Sequence, residues 1–398
     1  MSVIKTHHMR QAWATMGLTL ALTLGGCASG DAIKAPKPPA TFNPQQEAQL
    51  LKTVLDALEK GGIPVAVVGI WAPDQGTWVE AFGHANLAEH QSMTVDHKFR
   101  IGSITKTATA TIVLQLAGEG VIDLDQNIEK YDKKYGLKIP NAKEITIRQL
   151  LNHTSGLFSY TDDPALEAVS YANLLLYWTP QELIKYAVSH RDTALPGKEF
   201  HYSNTGYALL GLIIEEETKH RLEEEVDRRI IQKLGLKNTS FPTLPNTTEP
   251  HANGYMSNAD LLRLSFNLRG NKTAELVDVT AFNPSWAWAA GAMISNVNDL
   301  KIYAKALGTG SLVGKKMHAE QMKMMPVVPG ADVQYGLGLG EFKGFLGHRG
   351  EVPGYDISMY YSPELDATFV VCLNRTPGSV QSDALFTSLA KIVYPKKF

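Results

Sequence analysis

The sequence predicts an α+β fold in which one antiparallel sheet is built from both chain ends, is flanked by helices and carries an inserted, mostly helical lobe. Strand patterns occur early, in VAVVGIW (65–71) and GTWVEAFG (76–83) around the turn APDQ, and return after residue 335. Helical patterns and long loops fill the middle, from about residue 120 to 300. A single sheet that pairs strands from both chain ends would bury all of these strands in one core.

The individual elements follow from local patterns. Helices are expected at about 45–61, from Ser103 onward, and at about 383–393. The returning strands are expected in four segments, YGLGLGEF (335–342), GFLGHRG (344–350), DISMYYSP (356–363) and ATFVVCLNR (367–375).

The first 44 residues predict a leader and a tether. A basic start with Lys5 and Arg10 precedes a short apolar run and Cys27, which is the layout of a secretory signal. The apolar run is shorter than the ~20 residues that a membrane-spanning helix needs. The following segment is rich in Pro, Ala and Lys, as flexible linkers are. We therefore expect a signal in residues 1–26, a tether in 27–44 and one domain in 45–395.

Composition narrows the possible functions. The 398 residues include 38 basic and 40 acidic side chains, a net charge of -2, which does not favour a nucleic-acid partner. The two cysteines, Cys27 and Cys372, exclude a disulfide framework. The sequence has no CxxC motif and no His/Cys cluster, so a zinc site has no support. We expect no nucleic acid, no metal and no cofactor.

A serine and a lysine stand three residues apart in FRIGSITKTATATIVLQLAGEG (99–120), at the head of an apolar helix pattern. Side chains three apart share one helix face, so the Ser103 hydroxyl and the Lys106 amine are expected to meet. Burial lowers the pKa of a lysine, which suits it to act as a base. The pattern is weak alone, because it recurs at Ser2 and Ser388 and because serine is a common helix start.

A second candidate segment is PGKEFHYSN (196–204). Tyr202 follows a Pro-Gly turn and precedes a strongly apolar helix, so a rigid helix start would hold its phenol in place to move a proton. The alternative is a tyrosine that packs on the core and an asparagine, Asn204, that caps the helix.

A third candidate segment is LGHRGEVPGY (346–355), where His348, Arg349 and Gly350 open a strand. A glycine in a strand lets a ligand approach the backbone closely. An extended substrate could then pair with an exposed edge. The alternative is a plain hairpin turn.

The three segments together resemble the serine beta-lactamase and penicillin-binding-protein superfamily, and most closely its group of class C beta-lactamases, DD-carboxypeptidases and related esterases. In other branches of the superfamily the first motif is Ser-x-x-Lys, the second is Ser-Asp-Asn and the third is Lys-Thr-Gly. In this sequence the second motif is Tyr-Ser-Asn and the third is His-Arg-Gly, and the three motifs occur in the same order. The resemblance covers roughly residues 45–394 and implies a beta-lactamase/transpeptidase-like fold. Leu-Gly-Gly before Cys27 also resembles a bacterial lipobox. It implies lipid on Cys27, membrane attachment and a cell-envelope location, at the outer membrane facing the periplasm.

The resemblance also implies roles for individual residues. Ser103 would be the acylated nucleophile, Lys106 its base and Tyr202 the proton shuttle. Asn204 would orient Lys106 and the substrate amide. The substrate-side strand would supply His348, Arg349 and Gly350, and the backbone N–H groups of Ser103 and Glu351 would form the oxyanion hole. Arg349 departs from the family, which usually has a small hydroxyl residue or glycine there. It could pair with a substrate carboxylate or point into solvent.

The expected activity is acyl transfer through Ser103, which needs no cofactor. Three substrate classes share such machinery: D-Ala-D-Ala peptides, beta-lactams and esters. The resemblance favours a D-alanyl-D-alanine carboxypeptidase-like peptidase of the envelope, with a beta-lactamase or a broad esterase as the alternative. A catalytically silent envelope binding protein is the alternative from another class.

Overall fold

The computed structural model describes residues 40–266 and 275–398. In these residues the strands are β1 (Val65–Ala72), β2 (Gly76–Asn86), β3 (Gln91–Ser92), β4 (Phe99–Arg100), β5 (Tyr255–Ser257), β6 (Leu276–Asp278), β7 (Ile294–Ser295), β8 (Met325–Pro326), β9 (Val333–Tyr335), β10 (Gly340–Phe342), β11 (Phe345–Val352), β12 (Tyr355–Ser362) and β13 (Ala367–Leu373).

The helices are α1 (Pro44–Gly61), α2 (Thr105–Gly118), α3 (Glu129–Tyr135), α4 (Ile147–Leu151), α5 (Pro164–Ala172), α6 (Pro180–Val188), α7 (Asn204–Thr218), α8 (Leu222–Val226), α9 (Gln232–Leu234), α10 (Asn258–Phe266), α11 (Val297–Gly308), α12 (Gly314–Gln321) and α13 (Ser382–Val393). None of these helices is long and apolar enough to cross a membrane.

The main sheet joins the two ends of the chain. Its nine strands run in the order β3-β2-β1-β13-β12-β11-β10-β9-β8, and every neighbouring pair is antiparallel. The first long strand lies against the last one, with Ala66 opposite Leu373. The predicted α+β architecture, with one sheet built from both ends, is confirmed.

Helices cover both faces of this sheet. All eight residues of β1 are buried, and they alternate between two cores: Val65 and Val67 pack towards the helical lobe, whereas Ala66 and Val68 pack against α1 and α13. This alternation follows from the two-residue period of a strand. An apolar run without polar positions is what a strand buried on both faces requires.

The helical lobe lies between β4 and β7, which pair with each other at its base. Its centre is α2, where residues 105–114 are all buried. The predicted strand YGLGLGEF is interrupted, which is a difference from the sequence prediction. The chain turns between β9 and β10, where Gly336 N donates to Leu339 O, and Leu337 is buried against the lobe.

The predicted leader and most of the predicted tether, including Cys27, lie outside the described residues. The first described helix, α1, starts at Pro44 after Asn43. The Asn43 side chain accepts a hydrogen bond from Gln46 N, as a helix cap does.

Candidate active site

Ser103 lies between the lobe and the sheet, in a 3-10 turn formed by Gly102–Ile104. The α-helix itself begins two residues after the serine, at Thr105, so the predicted helix start was slightly early. Lys106 Nζ donates to Ser103 Oγ over 2.9 Å. The sequence prediction that these two side chains meet is thus matched by the geometry.

Lys106 has no contact with solvent. Its amine also donates to the backbone oxygen of Ala290, at 2.9 Å, from the segment that leads to β7. Burial lowers the pKa of Lys106 well below its ordinary value, because an ammonium group loses its hydration there. A neutral amine beside a serine hydroxyl can accept the hydroxyl proton.

Tyr202 completes the group around the serine. The ring centre of Tyr202 lies 4.8 Å from Lys106 Nζ. Burial raises the pKa of the Tyr202 phenol, and a hydrogen bond with Ser103 only partly opposes that rise. The phenol is therefore protonated at neutral pH and can donate a proton.

His153 holds this tyrosine in place and was not singled out from the sequence. Its ring centre lies 4.3 Å from that of Tyr202, and its Nδ1 accepts a hydrogen bond from Ser203 N at 3.1 Å. Burial, with a smaller effect from Lys106, lowers the pKa of His153 well below its ordinary value. The imidazole is neutral, with its proton on Nε2.

Asn204 does not contact Lys106, in contrast to the role that the resemblance implied. Its side-chain Nδ2 donates to Thr161 Oγ1 at 2.8 Å, and its backbone N donates to Ser159 Oγ at 3.1 Å. Asn204 is the first residue of α7, so its side chain is directed to the neighbouring loop. Ala290 O, not Asn204, is the second partner of the lysine.

His348 lies on β11, on the side of the lobe. Its Nε2 is 3.0 Å from the hydroxyl of Tyr335, and its Nδ1 contacts the backbone oxygen of Arg349. Burial lowers the pKa of His348 to about 3, because the charged imidazolium would lose its hydration there. The ring is therefore neutral and supports the wall of the site.

Arg349 is paired with carboxylates of its own sheet rather than directed freely into solvent, so the second sequence alternative needs correction. Its Nε donates to Asp356 Oδ1 at 2.8 Å and its Nη2 to Oδ2 at 3.0 Å; Nη2 also contacts Glu351. Asp356 accepts two further hydrogen bonds from Ser382, at the start of α13. The guanidinium therefore joins β11, β12 and α13.

Two glycines let β11 approach the nucleophile. A Cβ on Gly350 would lie 1.9 Å from Ile101 O and 2.9 Å from Ser103 N, and a Cβ on Gly102 would lie 2.7 Å from Glu351 N. Since real side chains do not tolerate such distances, both positions require glycine. The close approach brings the backbone N–H groups of Ser103 and Glu351 together, where the oxyanion hole was expected.

Cys372 does not belong to the site. Cys372 is buried in β13, and burial raises the pKa of its thiol. Within residues 40–266 and 275–398, no group of three or more His, Cys, Asp or Glu side chains could hold a metal ion.

Proteins of similar sequence and fold are known. Protein flp of Staphylococcus aureus strain N315 is 29% identical over 260 residues, which cover 65% of this chain and 48% of that protein. The chain thus spans about half the length of the curated relatives it matches. A D-stereospecific amidohydrolase from Streptomyces sp. is 32% identical with a TM-score of 0.76, over 87% of this chain and 98% of the other.

A second solved structure is also similar. The D-amino acid amidase from Ochrobactrum anthropi SV3, complexed with D-phenylalanine, is 26% identical with a TM-score of 0.75, over 88% of this chain and 99% of the other. The family model described as Beta-lactamase matches residues 48–392. The chain therefore belongs to the beta-lactamase family, and it is a serine hydrolase of the superfamily that also contains the penicillin-binding proteins.

Proposed function

We propose that the protein hydrolyses amide bonds on the carbonyl side of a D-amino-acid residue, through an acyl-enzyme on Ser103. The observation that carries the chemistry is the 2.9 Å contact between Ser103 Oγ and the amine of the fully buried Lys106. The chain is similar to a D-stereospecific amidohydrolase over 98% of that protein and to a D-amino acid amidase over 99% of that protein. This similarity supports amides of D-amino acids as the substrate class.

In the first half-reaction, neutral Lys106 takes the Ser103 proton while Oγ bonds to the substrate carbonyl carbon. The negative charge then develops on the carbonyl oxygen, beside the N–H groups of Ser103 and Glu351. One such donor is typically worth about 2.7–4 kcal/mol of barrier. When the C–N bond breaks, the leaving amine takes the Tyr202 proton, and Lys106 returns its extra proton to the tyrosine.

In the second half-reaction, a water molecule attacks the acyl carbon and gives its proton to the same pair, Lys106 and Tyr202. The bond between the acyl carbon and Oγ breaks, Ser103 regains a proton, and the acid leaves. Burial lowers the pKa of Lys106 and raises that of Tyr202. These shifts support the lysine as the base and the tyrosine as the acid, because a base must start neutral and an acid must start protonated.

Peptides that end in D-Ala-D-Ala belong to the same substrate class, because their scissile amide follows a D-residue. A carboxypeptidase of the cell envelope therefore remains the finer form of this proposal, together with lipid attachment through Cys27. A panel of D- and L-phenylalanine amide, a D-Ala-D-Ala peptide, nitrocefin and a p-nitrophenyl ester tests it. We expect hydrolysis of the D-amide and not of the L-amide. Equal rates on both enantiomers, or activity on nitrocefin alone, would overturn the proposal.

A further inference from the structure

Two neighbouring backbone carbonyl groups accept hydrogen bonds from side chains of α2. Lys106 Nζ donates to Ala290 O at 2.9 Å, and Thr109 Oγ1 donates to Ala289 O at 2.7 Å. Because Lys106 and Thr109 are three residues apart, they lie on the same face of the helix. Neither residue is exposed to solvent. The lysine of the active site and this threonine therefore hold the same stretch of backbone.

The backbone of this stretch needs such contacts. Trp288, which precedes it, has a φ of 34°, in the left-handed region that a large side chain rarely adopts. A residue in that region is kept there only by the structure around it. Ala289 is fully buried, and among residues 40–266 and 275–398 the Thr109 hydroxyl is the only hydrogen-bond donor to its carbonyl oxygen. Without this hydroxyl, residues 289–290 would keep one hydrogen bond to α2, that of Lys106.

The bond between Lys106 and Ala290 O has two effects on the base. A neutral amine has one lone pair and two N–H groups, and it can accept the Ser103 proton only when the lone pair faces Oγ. With one N–H group fixed on Ala290 O, the tetrahedral nitrogen can direct its lone pair at Oγ, which lies 2.9 Å away. The same oxygen stabilises the ammonium form more than the amine, because hydrogen bonds to charged groups are stronger. It thus opposes part of the fall that burial causes in the pKa of Lys106.

We infer that Thr109 is a positioning residue for proton transfer in this site. Its bond to Ala289 O holds the next carbonyl group, that of Ala290, in the place where it orients the Lys106 amine. The inference deepens the proposed function and rests on its acyl-enzyme step at Ser103, but not on the class of substrate. A probe that reports only the nucleophile and its base can therefore test it.

Thr109→Val removes the hydroxyl and keeps the shape of the side chain. Thr111→Val is the matched control, because Thr111 is also buried in α2 but donates to the carbonyl oxygen of Thr107 in its own helix, at 2.7 Å. The probe is a fluorophosphonate: Ser103 Oγ bonds to phosphorus, fluoride leaves, and the Ser103 proton passes to Lys106. The measurement is the second-order rate constant of this reaction as a function of pH.

In Thr109→Val we expect the rate constant on the high-pH plateau to fall about 10- to 100-fold, because a small misplacement of a reacting group has such effects. The midpoint of the pH profile should move to lower pH by about half a unit, because the ammonium form loses part of its stabilisation. Thr111→Val should change neither quantity, and Thr109→Ser, which keeps the hydroxyl, should match the wild type. A lower plateau with an unchanged midpoint, or equal changes in Thr111→Val, would show a merely structural role and overturn the inference.

A second pair of variants covers the case in which Thr109→Val does not fold. Thr109→Ala leaves space for a water molecule at Ala289 O, which pairs the carbonyl but does not fix its position, so its midpoint should lie below that of Thr109→Ser. Equal midpoints would overturn the inference. Hydrolysis of D-phenylalanine amide is measured on the same proteins. The midpoint shift without any D-amide hydrolysis by the wild type would support the inference and overturn the proposed function, and D-amide hydrolysis without the shift would do the reverse.

Discussion

The Lys106 amine lies 2.9 Å from Ser103 Oγ and 2.9 Å from the Ala290 carbonyl oxygen, and no solvent reaches it. One contact serves the nucleophile, and the other holds the lysine to the segment that leads to β7. Burial without a carboxylate among these contacts lowers the pKa of Lys106 and so favours its neutral amine. The site is thus preorganised for proton transfer.

Ser103→Ala should reduce turnover by several orders of magnitude and leave the fold intact. Groups that act as a unit lose their effect together, so removal of the nucleophile alone is sufficient. Hydrolysis rates and the circular dichroism spectrum check this prediction. Ser388→Ala is the control, because Ser388 also has a lysine three residues later but donates only to Ala384 O on the surface of α13. A Ser103→Ala protein with most of its activity would contradict the assignment.

The pH profile should reflect the lowered pKa of Lys106. The neutral amine is the active form, so kcat/KM should rise with pH through that pKa and then level off. The midpoint should lie well below the ~10.4 of an ordinary lysine, since burial lowers the pKa. An uncharged p-nitrophenyl ester is the suitable substrate, because it does not titrate. Lys106→Arg should be inactive throughout, as arginine keeps its charge. A wild-type midpoint near 10 would disprove a neutral lysine.

Tyr202→Phe should lower kcat by about 10²–10⁴-fold, the usual contribution of general acid–base catalysis, with little change in thermal stability. The ring contacts with His153 remain, because only the hydroxyl is removed. The loss should be larger for amides than for p-nitrophenyl esters, since a nitrophenolate leaves without a proton. Tyr177→Phe is the control, because Tyr177 is exposed. Equal losses on amides and esters would rule out proton donation to the leaving group.

Arg349→Ala should reduce stability rather than substrate discrimination. Its hydrogen bonds to Asp356 join two strands, and a bond to a charged group is worth about 1.5–3 kcal/mol. Urea unfolding should show such a loss, whereas Arg191→Ala, at an exposed position, should not. The kcat/KM values of a D-Ala-D-Ala peptide and of its C-terminal amide should change by the same factor. A loss confined to the free carboxylate would restore the substrate-binding role.

Mature protein from bacterial membranes should begin at Cys27 and carry lipid on its sulfur, which mass spectrometry can establish. An unmodified N-terminus would refute this prediction. Cys372 is buried with a raised thiol pKa, and low thiolate content makes a thiol unreactive. It should therefore resist alkylation in the folded protein and react after denaturation.

The sheet and the serine–lysine pair were predictable because both are local patterns. A strand buried on both faces reads as an apolar run, as in β1 and β13. Ser103 and Lys106 meet because side chains three residues apart lie on the same face of a helix. The 3-10 turn at Ser103 barely changes this arrangement.

The partners of Asn204 and Arg349 were not predictable in the same way. Thr161 and Asp356 reach them only through the folding of other segments. The pairing of Arg349 with Asp356 is a diagonal contact between neighbouring strands, which depends on the register of β11 and β12. His153 packs against Tyr202 for a similar reason, because the two residues come from different loops. A motif carried over from a family supplies residue types but not these contacts.

The pairing of β1 with β13 has a consequence for how the chain folds during synthesis. The partner of Ala66 is Leu373, so this strand pair cannot form until the ribosome has passed residue 373, more than 300 residues after β1. Contacts between distant parts of a chain slow folding and leave intermediates prone to aggregation. Nascent chains that stop before β13 should therefore be inactive, and they are natural clients for chaperones.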